Sequence, residues 1–296
     1  MAVHLRQCAQ LVTRGASLAS RCALASALLF GGWQRGGAQS AAAGREGIVL
    51  RLHPHVGDTL RTRLEQLTEI STSRSGGATS RPMTTSVMVL ARTIVQASRK
   101  ATTTVLTVVD SADVNSSDAH GAALSAQAER SLRGQQLVLQ LAEDGSVESA
   151  RDARGVAVPR DVAEAMAALP AVFPHRPVAV GERWQREMPL PSAGPLGTNG
   201  GAQVRAEFRL DSLGRGGEMA FVSMHGAIES VGDRKGLELS GTMTGAMQVD
   251  RTRGWMTDSH FQLVIRSVVT PPGPTGMPPM KFLTKVTQHL WTMDKR

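Results

Sequence analysis

Residues 237–249 read Leu-Glu-Leu-Ser-Gly-Thr-Met-Thr-Gly-Ala-Met-Gln-Val and decide the fold class. Leu237, Leu239, Met243, Met247 and Val249 fall on one side of an extended chain, and polar residues fill most of the other side. Strict alternation over this length is typical of an antiparallel strand that buries one face. The stretch therefore predicts a mainly β protein.

Neighbouring segments repeat the pattern. Val204, Ala206, Phe208 and Leu210 alternate with polar residues, and the glycine-rich run at 214–217 separates them from a second apolar run. Glycines supply the positive φ angles of a tight turn, so this region predicts a hairpin. Further strands are expected at 48–52, 59–71, 84–97, 102–109, 136–141, 147–150, 184–188, 255–268 and 282–293. Their lengths favour a large curved antiparallel sheet or half-barrel over a compact sandwich.

Helical patterns occur in two segments. Val162, Met166 and Leu169 recur at helical spacing between two prolines. Residues 119–133 are rich in alanine and end at Gly134, which can stop a helix. We therefore expect one or two short helices beside the sheet.

The expected strands fall into two groups. Residues 48–158 form a first β lobe and residues 179–296 a second, joined by a helix and a proline-rich crossing at 159–178. Both lobes open on a Val-Gly-acidic motif, at 56–58 and 180–182. This recurrence suggests two related β lobes, although the motif is also a common turn opener.

The first 38 residues have the layout of a bacterial secretory signal. Three arginines and no acidic residue precede the short apolar run at 22–30, and small residues follow at 36–38. Cleavage after Ala38 or Ala43 would leave a flexible N-terminus at 39–47 and place the protein in the periplasm or outside the cell. A disordered basic tail or a short buried helix is the alternative interpretation of this segment.

Removal of this segment changes the apparent chemistry of the chain. Cys8 and Cys22 both lie within it, so the mature protein has no thiol for a disulfide, a nucleophile or a zinc site. Loss of its four arginines lowers the formal net charge from +8 to +4. The remainder has no basic cluster interleaved with aromatic residues, which argues against nucleic-acid binding. It also lacks an apolar run of about 20 residues, so no transmembrane helix is expected.

Three short motifs resemble those of uncharacterised exported β-rich bacterial proteins. The most extended is Leu-Pro-Ala-Val-Phe-Pro-His-Arg-Pro-Val-Ala-Val-Gly-Glu-Arg-Trp at 169–184, and the others lie at 50–59 and 250–255. The resemblance implies a curved antiparallel half-barrel similar to the periplasmic lipoprotein-carrier and lipoprotein-sensor folds. It brings no catalytic residues, and hydrophobic ligand binding follows from it only by analogy between folds.

Established catalytic motifs are absent from the sequence. It contains no nucleophile elbow, phosphate-binding loop, dinucleotide fingerprint or His-Glu-x-x-His motif, so we expect neither an enzyme nor a cofactor. His53 and His55 form the one close histidine pair, but a third ligand such as Asp58 or His289 would be an arbitrary choice, so no metal is expected.

An acidic run follows the strand expected at 102–109. Asp110, Asp113 and Asp118 are too sparsely spaced for a calcium-binding loop, so they predict a polar loop.

Methionines crowd the second half of the chain. Because methionine is flexible and polarisable, a methionine-rich face can accept varied apolar partners, and Gly245 between two of them would leave a groove. This predicts a pocket on the concave face, covered by the loop at 271–279; the alternative is an ordinary core that uses methionine as a gap-filler. The candidate ligand-binding residues are Met219, Met243, Gly245, Met247, Trp255, Met277 and Met280.

Three classes of function are compatible with these features to different degrees. The first is a non-enzymatic exported protein that binds a lipid, a lipoprotein or another apolar ligand. The second is an envelope structural or protein-interaction module without a small-molecule ligand. The third, a hydrolase, would require a constellation of catalytic residues that the sequence does not offer.

Overall fold

The computed structural model describes residues 47–74, 80–99, 101–118, 121–155, 172–189, 202–231, 236–270 and 278–293. The predicted signal segment and the helix predicted around 162–169 lie outside these ranges, as do Met277 and most of the predicted loop at 271–279.

Most of the described chain forms one open antiparallel sheet, which confirms the predicted fold class. Its strands are β1 (Thr59–Arg74), β2 (Met83–Arg99), β3 (Thr102–Ser116), β4 (Gln136–Ala142), β5 (Val147–Asp152), β6 (Arg183–Pro189), β7 (Ala202–Gly214), β8 (Met219–Ser230), β9 (Leu237–Asp250), β10 (Trp255–Val269) and β11 (Met280–Thr292). The spatial order is β5-β4-β3-β2-β1-β11-β10-β9-β8-β7-β6. Consecutive strands are therefore neighbours within β1–β5 and within β6–β11, and the β1–β11 pair joins the two meanders.

Helix α1 (Gly121–Leu132) confirms the helix predicted at 119–133. It buries Gly121, Ser125 and Leu132, and the Glu129 carboxylate accepts a hydrogen bond from the backbone amide of Val114 at 3.0 Å. Because β4 pairs with only the first half of β3, the helix covers backbone groups that the sheet leaves unpaired.

One face of the sheet encloses the hydrophobic core, and we call it the inner face. Along β7, for example, Ala202, Val204, Ala206, Phe208 and Leu210 alternate with more exposed residues and are buried. The buried residues of both meanders belong to a single cluster. The sheet therefore curves around this core, as expected for a half-barrel.

Two irregular segments cross one end of the curved sheet. The amide of Leu52 donates to the carbonyl of Glu143 at 2.7 Å, and the amide of His53 donates to the carbonyl of Gly254 at 2.8 Å. Ile48 pairs with Val178 in an isolated bridge. The segment at 47–56 thus connects turns of the two meanders. The prediction of a strand at 48–52 is wrong, because the backbone amides of this segment donate hydrogen bonds to separate turns and not to one neighbouring strand.

The acidic run is also corrected by the structure. β3 continues to Ser116, so Asp110 and Asp113 lie within a strand rather than in a polar loop. Both carboxylate oxygens of Asp110 accept hydrogen bonds from the Nε of Arg92 on β2, each at 2.9 Å. Pairing with an arginine on the neighbouring strand therefore explains why an acidic residue is found within β3.

The sheet turns sharply between β9 and β10, where two glycines line the corner. The regular ladder there covers only Trp255 with Asp250 and Met256 with Val249. A β-carbon on Gly241 or Gly245 would overlap a backbone carbonyl oxygen of β10. The backbone of β10 therefore lies against the inner face of β9 at these two positions. Glycine permits this close approach because it has no side chain.

Candidate ligand-binding face

Several neighbouring inner-face residues at the centre of the sheet are only partly buried. Leu263 of β10 and Val286 of β11 lie directly opposite each other, and both are only partly buried. Other half-buried inner residues surround them, and together they form what we call the central patch: Ile70, Leu263, Phe282, Thr284 and Val286. A partly open and mostly apolar surface on the concave side of a sheet is suited to a ligand.

Buried polar side chains border the central patch. Gln66 of β1 and Gln288 of β11 face each other on the inner face and are 8% and 1% exposed. The Gln66 amide donates to the Thr68 hydroxyl at 3.3 Å. On β10, Ser259 is fully buried, and its hydroxyl has no hydrogen-bond partner among the residues that the structure describes. We call Gln66, Thr68, Ser259 and Gln288 the polar row.

The polar row matters because a buried polar group is costly unless it is hydrogen-bonded. Amides and hydroxyls beside an apolar surface can fix the orientation of a bound molecule without charge. The sequence analysis missed these residues, because only the register of β1, β11 and β10 brings them together.

The methionine residues predicted to line a pocket do not form one in the described structure. Met243 and Met247 are on the inner face of β9, but they are 6% and 2% exposed and belong to the packed core. Gly245 opens no groove between them, because the His260 carbonyl and Phe261 of β10 occupy the space above it.

The remaining predicted residues do not join one site. Ala220 pairs with Val249 on the inner face, so Met219, which pairs with Asp250, lies on the opposite face. Trp255 begins β10, whereas Met280 pairs with the last residue of that strand. The two are therefore separated by roughly 45 Å of strand. Met277 is outside the described residues.

Arg186 is an unexpected charge on the inner face of edge strand β6. It lies between Trp184 and Met188 on the same face of the strand and opposite Ala206; Trp184 and Met188 are 7% and 6% exposed. Its guanidinium donates to the carbonyl of Phe173. Within the part of the chain that the structure describes, the buried Nε atom has no hydrogen-bond partner and no acidic side chain pairs with the guanidinium.

Trp184 shows how the edge strand is held. Its ring stacks on Phe208 with centroids 5.7 Å apart, and its Nε1 donates to the carbonyl of Val172 at 2.8 Å. Arg186 and Trp184 thus both connect β6 to the segment at 172–178.

The outer face of the central strands carries a block of charged and aromatic residues. Arg63, Trp291 and Asp258 lie side by side in one row across β1, β11 and β10, and a second row lies beside it. The six residues, which we call the outer block, are Arg63, Glu65, Asp258, His260, His289 and Trp291. These residues are remote in sequence, so spacing along the chain gave no signal for them.

Contacts within the outer block link its members into one network. The Arg63 guanidinium pairs with Glu65 and lies 5.3 Å from the centre of the Trp291 ring. The rings of Trp291 and His289 have centroids 4.3 Å apart. His289 Nε2 is 3.9 Å from Asp258 Oδ1, which is too long for a hydrogen bond.

Partial burial shifts two pKa values in the outer block. It raises the pKa of Asp258 to about 7. It also lowers the pKa of His289, as does the neighbouring His260, while Glu65 acts in the opposite direction. In both cases burial disfavours the charged form.

The histidine pair at 53 and 55 and the outer block contain the side chains closest in type to metal ligands. His55 Nδ1 is 3.7 Å from Asp58 Oδ2 on an exposed turn. Within the described ranges, no group of three or more His, Cys, Asp or Glu side chains has an arrangement that could hold a metal ion.

No helix of the described chain is both long and apolar enough to cross a membrane.

Comparisons with known proteins give only distant similarities. No protein-family model matches the chain, and neither does any curated protein. Among solved structures, Rv2717c from M. tuberculosis matches at 10% identity over 78% of this chain and 91% of its own, with a TM-score of 0.23.

Two outer-membrane proteins match at a similar level. The COG4313 outer membrane channel from Pseudomonas putida F1 matches at 11% identity over 82% of this chain and 98% of its own, with a TM-score of 0.21. The outer membrane protein OprG from Pseudomonas aeruginosa matches at 7% identity over 82% and 99%, with a TM-score of 0.22. Such low scores carry no argument about function. Of the expected likeness to lipoprotein carriers, the structure itself supports only the β-rich, half-barrel-like sheet.

Proposed function

We propose that this protein is a non-enzymatic exported protein that holds a ligand with an apolar body on the inner face of its sheet. The observation that carries the proposal is the central patch, where neighbouring inner-face residues of β1, β10 and β11 are partly exposed although most of that face is buried. The apolar body of the ligand would lie on Leu263 and Val286. A polar group next to it would form hydrogen bonds with the polar row.

Burial of the patch supplies the driving force. Removing apolar surface from water contributes about 25 cal/mol per Å². A ligand that covers the half-buried side chains of β1, β10 and β11 would gain this contribution without reorganising the packed core. The polar row would add orientation rather than much affinity, because a hydrogen bond in the site replaces one with water.

The chemistry of the inner face supports binding without catalysis. Near the central patch it presents amides and hydroxyls, and the described part carries no pair of carboxylates or Ser-His arrangement there. The sequence of residues 1–38 supports export, so the ligand would be one of the bacterial envelope or its surroundings.

A neutral fluorescent probe tests the proposal. N-phenyl-1-naphthylamine gains fluorescence in apolar surroundings, and we expect saturable binding to the wild-type protein. Leu263→Gln and Val286→Gln should each weaken binding by about tenfold, because each puts a polar amide on the patch.

The matched control is Val264→Gln, which makes the same change at the next residue of β10, on the outer face. It should leave probe affinity unchanged. Absence of saturable binding to the wild type, or equal losses in the inner-face and outer-face variants, would contradict the proposed site. Thermal unfolding of each variant verifies that it is folded.

A further inference from the structure

We propose that the ligand held on the central patch is an uncharged amphiphile, with hydroxyl, ester or amide groups attached to its apolar body. This inference rests on the proposed function and adds the chemical class of the ligand. The feature that carries it is the contrast between the two faces of β1, β2, β10 and β11.

The inner face of these four strands is neutral. As the structure describes them, the inner side chains within residues 60–72, 85–95, 257–269 and 280–292 include no Asp, Glu, Lys, Arg or His. They combine apolar residues with threonine, serine and glutamine. This face can therefore form hydrogen bonds with a ligand, but it offers no charge of either sign.

The charged residues within the same ranges lie on the outer face and pair with one another. The Nζ of Lys285 on β11 is 3.4 Å from the carboxylate of Glu69 on β1. Arg92 on β2 pairs with Asp110 on β3 at 2.8 Å. Because opposite charges are adjacent, they do not supply the inner face with a strong potential of one sign.

Hydroxyl groups recur along the surface that the ligand would cover. The β1–β11–β10 register forms three successive inner-face rows: Thr72–Phe282–Ser267, Ile70–Thr284–Ile265 and Thr68–Val286–Leu263. Each row combines at least one hydroxyl with apolar side chains, and the rows together extend about 13 Å along the strands. A pure hydrocarbon would displace water from accessible hydroxyls without replacing its hydrogen bonds, whereas a neutral polar group can replace them.

Thr284 is the hydroxyl best placed to meet a ligand. It is in the middle of the central patch, between Ile70 and Ile265, and is only partly buried. A hydroxyl both donates and accepts, so it suits an alcohol, an ester or an amide. An ionised group at this position would lose water beside apolar side chains without gaining an opposite charge, which is costly. The patch therefore selects against anions and cations alike.

Competition against the bound naphthylamine probe tests the inference with three ligands that share a sixteen-carbon chain. They are monopalmitoylglycerol, which is neutral, hexadecyl phosphate, which is an anion, and hexadecyltrimethylammonium, which is a cation. We expect the wild-type protein to bind the neutral ligand about tenfold more tightly than either ion.

Two substitutions at Thr284 examine the cause of this preference. Thr284→Lys places a cation in the patch and should make hexadecyl phosphate bind more tightly than monopalmitoylglycerol. Thr284→Val removes only the hydroxyl group and should weaken monopalmitoylglycerol binding severalfold. The matched controls are Thr287→Lys and Thr287→Val, because Thr287 lies on the outer face of the same strand. Both should keep the ligand ranking and the affinities of the wild type.

The possible outcomes separate this inference from the proposed function. If either ion displaces the probe from the wild type as well as the neutral ligand does, the inference is overturned and the proposed function stands. The same holds if none of the three ligands displaces the probe, or if Thr284→Lys gains no more affinity for the anion than Thr287→Lys. Failure of the probe itself to bind would instead reject the proposed function. Thermal unfolding verifies that each variant is folded, and if Thr284→Lys does not fold, the ranking in the wild type and in Thr284→Val decides.

Discussion

A β-carbon at Gly245 of β9 would overlap the backbone carbonyl oxygen of His260 on β10. The absence of a side chain at this position therefore permits the close approach of the two strands where the sheet turns. Phe261 closes the space from the same direction. The corner determines how the β6–β9 part of the inner face meets the central strands.

Gly245→Ala should destabilise the protein, because the added methyl group forces the backbone of β10 to move. Overpacking of this kind costs about 1–3 kcal/mol. Thermal and urea unfolding measure the effect, and Thr244→Ala on the adjacent exposed residue serves as the control. A Gly245→Ala protein as stable as the wild type would show that the corner does not depend on the glycine.

Asp258→Asn should change the pH dependence of stability. The folded-state pKa of about 7 is above the value of about 4 in an unfolded chain. The contribution of the protonated carboxyl to the free energy of unfolding is therefore fully present below about pH 4. It is lost as the pH rises towards 7, where the folded protein releases the proton. Asparagine stays neutral, so the variant should unfold at a higher temperature than the wild type above pH 7 and at a similar temperature near pH 4.

The lowered pKa of His289 acts in the opposite direction. Its contribution is present above the unfolded pKa and is lost as the pH falls through the folded value. Both proteins contain His289, so the difference between their unfolding temperatures isolates Asp258 to a first approximation. A difference that stays constant from pH 4 to pH 8 would contradict the assigned pKa.

Trp184→Phe should loosen the segment at 172–178. The change keeps most of the stack on Phe208 but removes the hydrogen bond from Nε1 to the Val172 carbonyl. The expected loss is about 1 kcal/mol, with faster hydrogen exchange at the Ile48 and Val178 amides, which bond to each other's carbonyls. Unchanged exchange at both amides would show that the tryptophan does not hold this segment.

Expression of the full chain in a bacterial host should release a shortened protein into the periplasm. Cleavage after Ala38 gives a new N-terminus at Gln39, and cleavage after Ala43 gives one at Gly44. Intact mass measurement of the periplasmic fraction distinguishes these two products from the full chain. An unprocessed chain confined to the cytoplasm would contradict export.

The fold was largely predictable because its main signals are local. Alternation between apolar and polar residues in 237–249 corresponds to β9, and the glycines at 214–217 form the turn between β7 and β8. The helix at 119–133 was also recognisable from its composition. The end of β3 was not, because Asp110 and Asp113 look like loop residues until Arg92 and the rest of β2 are beside them.

The candidate site was much less predictable. Period-two alternation identified the face of Met243 and Met247 but could not show that β10 folds over Gly245 and fills the space. The central patch and the polar row depend on the β1–β11 pair, which joins strands that are more than 200 residues apart in the sequence. The sequence analysis did not single out Arg186, although its spacing from Trp184 and Met188 puts it on the inner face, as its pairing with Ala206 shows.

Native mass spectrometry of the protein isolated from the bacterial envelope without detergent tests the central claim most directly. The account predicts a population heavier than the polypeptide by the mass of a bound ligand, which is released on denaturation and depleted in Leu263→Gln but not in Val264→Gln. A single species at the polypeptide mass, from protein that also fails to take up the naphthylamine probe, would contradict it.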